Sequence, residues 1–271
     1  MGQFFVWDKA TLNMRGEMEE IMKVIMNADD FGFSKGVNHG ILEGFQHGII
    51  TSTSLMVNMP GFDNAVELMK QYPDLLKVGL HLVTSVEYAI TPNLKTLTDE
   101  NNHFYHDAKL IHDCDLEELK TEYEAQLQKF LATGFKPTHI DFHWCHEPVQ
   151  LEAAMYLAKK YDLPIRAGDK EIEALFTENN IRYAPNHISD FYNQKERTTE
   201  VETMLGLLQS SLDRKLEIIG FAVHPAYVDY DLLTLSSYNV QRAKELHVLT
   251  DPKIMDFIHE NKIEMISFAD I

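Results

Sequence analysis

Ionisable side chains in this sequence gather at the ends of short apolar runs. Asp29 and Asp30 follow KVIMNA, His81 lies near the end of KVGLHL, Arg166 closes LPIR, and His224 follows IIGFAV. In HIDFHW, the residues His139, Asp141 and His143 alternate with Ile140, Phe142 and Trp144. That period of two is the strand period, so the polar set shares one face and the apolar set the other. Three ionisable groups in five residues are costly to bury without a metal ion or full hydrogen bonding. A solvated edge strand would show the same alternation. A divalent ion at such a place takes imidazole nitrogens and a carboxylate oxygen, and Asp30, His81 and His143 supply that set. Two histidines and one carboxylate also serve non-haem iron oxygenases, so the ligands alone leave the reaction open.

Adjacent carboxylates after a strand can divide duties, one binding metal while the other accepts a proton from water. The bland alternative for one of them is a helix cap or turn residue in DDFG. His224, just before Pro225, is placed to protonate a leaving nitrogen, or else is an ordinary surface histidine. Arg166 could hold a carboxylate or touch substrate, or form a surface ion pair of little energetic value. His81, between Leu80 and Leu82, would pass alone for a satisfied core histidine. Cys145 has no second cysteine nearby and reads as a structural thiol more readily than a ligand.

The elements that must position these residues alternate between strand and helix. Strands are expected at 23–28, 50–58, 77–82, 139–143, 163–166, 216–223 and 264–268, seven in all. Helices are expected at 36–47, 62–71, 116–131, 150–161 and 201–212, with helical turns at 240–246 and 253–261. The region from 167 to 196 is unassigned apart from its polar character. Repeated strand and helix units favour a parallel sheet, either a closed (β/α) barrel or an open doubly wound one. A length of 271 residues, with neither GxGxxG nor a P-loop, favours the barrel, whose strand ends open on one face and would gather the ionisable residues there. The polar stretch 83–115, with His103, His106 and His112, is long enough to be a covering loop.

Composition narrows the function. With 24 Lys and Arg against 42 Asp and Glu, the formal net charge of −18 works against binding nucleic acid or an anionic membrane. Two cysteines, no glycosylation sequon and no apolar run of membrane-spanning length fit a cytoplasmic protein. Residues 1–22 look like an extension without the pattern of a signal peptide, leaving 23–271 as one domain.

Several runs together resemble a known family. NADDFGFSKGVNHGI, GIITSTSLMVN, VGLHL, KPTHIDFHWCHE, LPIRAG, HPAY and RAKELHVLT occur in the order found in the YdjC-like carbohydrate deacetylases. The resemblance implies an irregular TIM-like barrel related to polysaccharide deacetylases. It also implies a divalent ion, Mg²⁺ first and Zn²⁺ or Mn²⁺ otherwise, often a homodimer, and removal of N-acetyl groups from chito-oligosaccharides such as N-acetylated chitobiose or its 6-phosphate. Carried over by position, it makes Asp30, His81 and His143 the metal ligands, Asp29 the general base, His224 the acid and Arg166 an orienting residue. The rival readings are a non-catalytic sugar-binding protein on the same fold, or another barrel metalloenzyme such as a sugar isomerase. One departure stands out: where the family commonly continues with two more histidines and a Val-His pair, this chain has Trp144, Cys145, His146 and Glu147.

Overall fold

The computed structural model describes residues 21–144, 146–189, 191 and 199–271. Most of the expected extension, 1–20, and Cys145 therefore lie outside the described residues. In chain order the barrel begins with β1 (Lys23–Phe31), α1 (Lys35–His47), β2 (Ser52–Leu55), α2 (Phe62–Gln71) and β3 (Val78–Leu82). Then come α3 (Ala108–His112), α4 (Leu116–Leu131), β4 (Ile140–Phe142), α5 (Pro148–Tyr161), β5 (Ile165–Arg166) and α6 (Lys170–Glu178). The remainder is β6 (Tyr183–Ala184), β7 (His187–Ile188), α7 (Val201–Asp213), β8 (Ile218–Val223), α8 (Tyr230–Leu235), α9 (Val240–Leu249), α10 (Pro252–Glu260) and β9 (Glu264–Ile266).

Local chemistry sets the helix starts. Ser34 accepts the Val37 N–H ahead of α1, Asp115 accepts from Glu117 and Glu118 ahead of α4, and α5 opens on Pro148 behind a Glu147/Gln150 capping box. All strand pairings are parallel, in the order β6, β5, β4, β3, β2, β1, β8, β7. The two ends of that order, β6 and β7, are separated only by Pro185 and Asn186. One broken segment, 183–188, thus pairs with β5 at its start and β8 at its end, and carries the sheet round into an irregular barrel. This corrects the expected set of strands. The closing segment lies in the region left unassigned, whereas the C-terminal strand β9 only flanks the lower part of β1.

Alternation sorts the side chains. Val24, Met26 and Ala28 of β1, Leu80 and Leu82 of β3, Ile140 and Phe142 of β4 and Phe221 and Val223 of β8 join the large core beneath the helices. The opposite parity of the same strands lines the lumen. At the N-terminal end of the strands it is apolar, with Ile25, Ala184 and Phe268 clustered there. Phe268 was expected to end the last strand, but it starts a 3₁₀ turn, Phe268–Asp270, and stacks on the His139 ring with centroids 3.9 Å apart.

The long segment after β3 is tied down rather than loose. Glu122 accepts the N–H groups of Ile90 and Thr91, Glu118 those of Lys95 and Thr96, and Gln126 both accepts from and donates to the Val83 backbone. Among the described residues no helix is long and apolar enough to cross a membrane.

Candidate metal centre and active site

On a regular strand Asp29 and Asp30 would point to opposite faces. Here the pairing of β1 with β2 shifts register between Ala28 and Phe31, and Asp30 has a φ of +69°. This bulge turns Asp30 back, so both carboxylates reach the mouth of the barrel. Asp30 Oδ1 lies 3.0 Å from His143 Nδ1 and 3.2 Å from His81 Nε2. Its other oxygen, Oδ2, accepts from Arg242 Nη2 of α9 at 2.7 Å.

Asp29 is held differently. Its Oδ1 accepts from Asn27 Nδ2 at 2.8 Å and from Arg166 Nη1 at 2.5 Å, while Oδ2 lies 3.9 Å from His224 Nε2. Burial is the largest influence and would raise the Asp29 pKa, but Arg166, His81 and His224 together outweigh it and the neighbouring Asp141, and the carboxyl lies below its usual range, ionised at neutral pH. Asp30 is likewise held well below the usual range, Arg242 and His143 overcoming its burial.

Asp141, on β4 beside β3, connects the two halves. Its Oδ1 is 2.5 Å from His81 Nδ1, and its Oδ2 is 3.1 Å from Arg166 Nη1 and 3.5 Å from His139 Nε2. Burial would lower the His81 pKa, yet the Asp141 and Asp30 carboxylates carry it to about 10. His139 has no such excess of negative charge around it, and burial lowers it. His224 is also pushed down, to about 4, by burial first and then by Arg242 and Arg166 against the opposing pull of Asp29.

The structure brings all six sequence-derived site residues into one cluster. It adds residues that the sequence reading left without a role: Asn27, Asp141, Arg242 and Glu245. Glu245 accepts the His224 backbone N–H and the Tyr238 hydroxyl, each at 2.5 Å, and burial raises it to about 7. Arg242 and Glu245 stand three apart on α9 within RAKELHVLT, a spacing that reads as an exposed ion pair; both are buried.

One donor atom from each of Asp30, His81 and His143 lies within 4.8 Å of the others. These fit a divalent ion, because the remaining atoms of two of them are already engaged. Asp141 holds His81 Nδ1, which frees Nε2 as the ligand nitrogen, and Arg242 holds Asp30 Oδ2. A second group within the same distance, Asp29, His81 and Asp141, fits less well, since Arg166 and Asn27 occupy its carboxylates.

Comparison with known proteins identifies the family. A carbohydrate deacetylase of Clostridium beijerinckii is 39% identical over 254 residues, covering 92% of this chain and all of the relative. A crystal structure from Enterococcus faecalis V583, described as a cellobiose-phosphate cleavage protein, superposes with a TM-score of 0.84 at 30% identity, covering 92% of this chain and 98% of the other. The CE4 domain of a multidomain xylanase from a termite hindgut metagenome has a TM-score of 0.51 at 11% identity, covering 92% of this chain and 89% of that one, a likeness of fold alone. The family described as YdjC-like protein matches residues 23–260, and with that match over most of its length the chain belongs to the YdjC-like family.

Proposed function

We propose that the protein is a divalent-metal-dependent deacetylase that hydrolyses the N-acetyl group of small acetylated amino sugars, with N-acetylated chitobiose or its 6-phosphate as the first candidates. The observation that carries this reading is the meeting, in one barrel mouth, of a two-histidine, one-carboxylate cluster with a separately held Asp29 and with His224. The family membership and the name of the Clostridium relative support it. The name of the Enterococcus protein supports keeping a phosphorylated disaccharide among the candidates.

Asp30, His81 and His143 would hold the ion, which supplies polarisation of the acetyl carbonyl and acidifies water. Asp29 is ionised and has Oδ2 free of Arg166 and Asn27, so it is placed to take the proton of the attacking water. Arg166 fixes the Asp29 carboxylate in place and lowers its pKa. His224, with a pKa near 4, is neutral at pH 7 and enters the reaction without a spare proton. To act as the acid it must first take up a proton, and Asp29, with Oδ2 3.9 Å from His224 Nε2, is placed to return the proton taken from water through one bridging water. Glu245 anchors the His224 backbone and so sets where the ring stands.

The test is acetate release from both sugars by chelator-stripped protein with Mg²⁺, Zn²⁺, Mn²⁺ or no ion. Release that returns with an ion and is lost in His143→Ala supports the reading. Asp29→Asn is expected to abolish turnover while metal binding persists; unchanged turnover in that variant removes Asp29 from the base role. Product that keeps its acetyl group points to an isomerase instead.

A further inference from the structure

Trp144 follows His143 directly and has a φ of +81°, a region that bulky side chains rarely enter and that costs backbone energy when they do. Its side chain is nonetheless 46% exposed, although an indole gains most from burial. One face is taken. The ring stacks on His106 with centroids 4.3 Å apart and an interplanar angle of 17°. His106 comes from the long segment tied to α4, and its Nδ1 lies 3.1 Å from the carbonyl oxygen of Ser85, just beyond β3. The stacked pair therefore spans the ends of β3 and β4, the strands that deliver His81 and His143.

A strained backbone that holds a half-open indole beside the reactive cluster needs a reason outside the fold, since core packing gains little from it. A flat aromatic surface at the rim suits a ligand with a flat face of C–H groups. A pyranose ring has one, and its polar substituents project around the edge. We propose that Trp144, backed by His106, is the stacking platform for a pyranose ring of the substrate and sets the sugar beside Asp30, His81 and His143. This rests on the deacetylase reading above and adds the residue that recognises the sugar.

The sequence holds two tryptophans, Trp7 and Trp144, so Trp7→Phe leaves Trp144 as the sole indole. In a Trp7→Phe, Asp29→Asn protein loaded with metal, titration with N-acetylated chitobiose is expected to change the Trp144 emission saturably. Emission that stays flat to millimolar sugar overturns the platform. Kinetically, Trp144→Gly removes the ring with a residue suited to φ of +81°. It is expected to raise KM roughly 3- to 10-fold with kcat within about twofold, and Trp144→Tyr to recover most of the loss. If the parent protein releases acetate and Trp144→Gly leaves KM unchanged, the platform is wrong and the deacetylase reading stands. If no acetate is released yet emission responds to the sugar, the platform stands and the deacetylase reading falls.

Discussion

Metal uptake by this site should release a proton. Three buried carboxylates, Asp29, Asp30 and Asp141, face the guanidiniums of Arg166 and Arg242 and the His81 imidazole. With its pKa near 10, His81 is an imidazolium at pH 7, and the metal-free cluster is then neutral. A cation that takes His81 Nε2 as ligand must displace that proton, because only neutral imidazole binds metal. Three units between pH 7 and a pKa of about 10 correspond to about 4 kcal/mol of apparent affinity forgone at neutral pH. Affinity should therefore rise about tenfold per pH unit, roughly 100-fold from pH 6.5 to 8.5. Titration calorimetry of Zn²⁺ or Mn²⁺ into chelator-stripped protein, run in buffers of different ionisation enthalpy, should find about one proton released per ion. Asp141→Asn removes the main charge that raises His81, so release should drop below one and the slope flatten, the smaller proton penalty offsetting at neutral pH the roughly 10- to 100-fold affinity loss expected from the missing orienting partner. Affinity independent of pH over that range, with no proton released, would refute both the protonated His81 and its place among the ligands.

Three further outcomes follow from the same geometry. His81 has a folded pKa above its unfolded one, so it adds stability below pH 6.5 that is lost as pH rises toward 10; thermal unfolding in chelator should show that decline, and saturating metal should remove it. Arg242→Met leaves Asp30 without its guanidinium in a buried setting and should cost about 3–5 kcal/mol, roughly 6–10 °C in Tm for a chain of this length, by calorimetry; a shift under about 1 °C would mean that the pair contributes nothing. A Cβ at Gly79 would lie 2.2 Å from His139 Cε1, so Gly79→Ala should destabilise by about 1–3 kcal/mol in urea unfolding, and His139→Ala in the same chain should recover part of that loss.

The strand ends and their ionisable residues were legible because period and position coincide. HIDFHW announces both its pairing face and its lumen face, and the barrel rule then places His81, His143, Arg166 and His224 at one opening. The closing segment 183–188 was not legible, since YA and HI are two-residue pairings broken by Pro185 and too short to show a period. Arg242 and Glu245 were hidden for a different reason. Their spacing on α9 signals a solvated pair, and only the docking of that helix over the mouth turns each toward a separate partner, Asp30 and the His224 backbone.

The adjacent aspartates show why a sequence motif and a site are different things. DD after a strand says that two carboxylates are close along the chain, but a regular strand would bury one of them beneath the helices with Met26 and Ala28. The left-handed residue at Asp30 and the register shift against β2 put both at the mouth, and the turn that follows needs its own support. Gly32, at φ of +91°, donates its N–H to Asn38 Oδ1, and the Asn38 side chain donates in turn to Gly61 O and Asn64 Oδ1. Met56 O stands 2.6 Å from where a Gly32 Cβ would be, so the glycine answers both to the dihedral and to the close approach. The turn after Asp30 is thus held by an amide network whose hydrogen bonds involve neither a candidate ligand nor Asp29. The two carboxylates can then be held by different arginines, Arg166 on one and Arg242 on the other, and this division lets one oxygen of Asp30 face the histidines while one oxygen of Asp29 stays free for a proton.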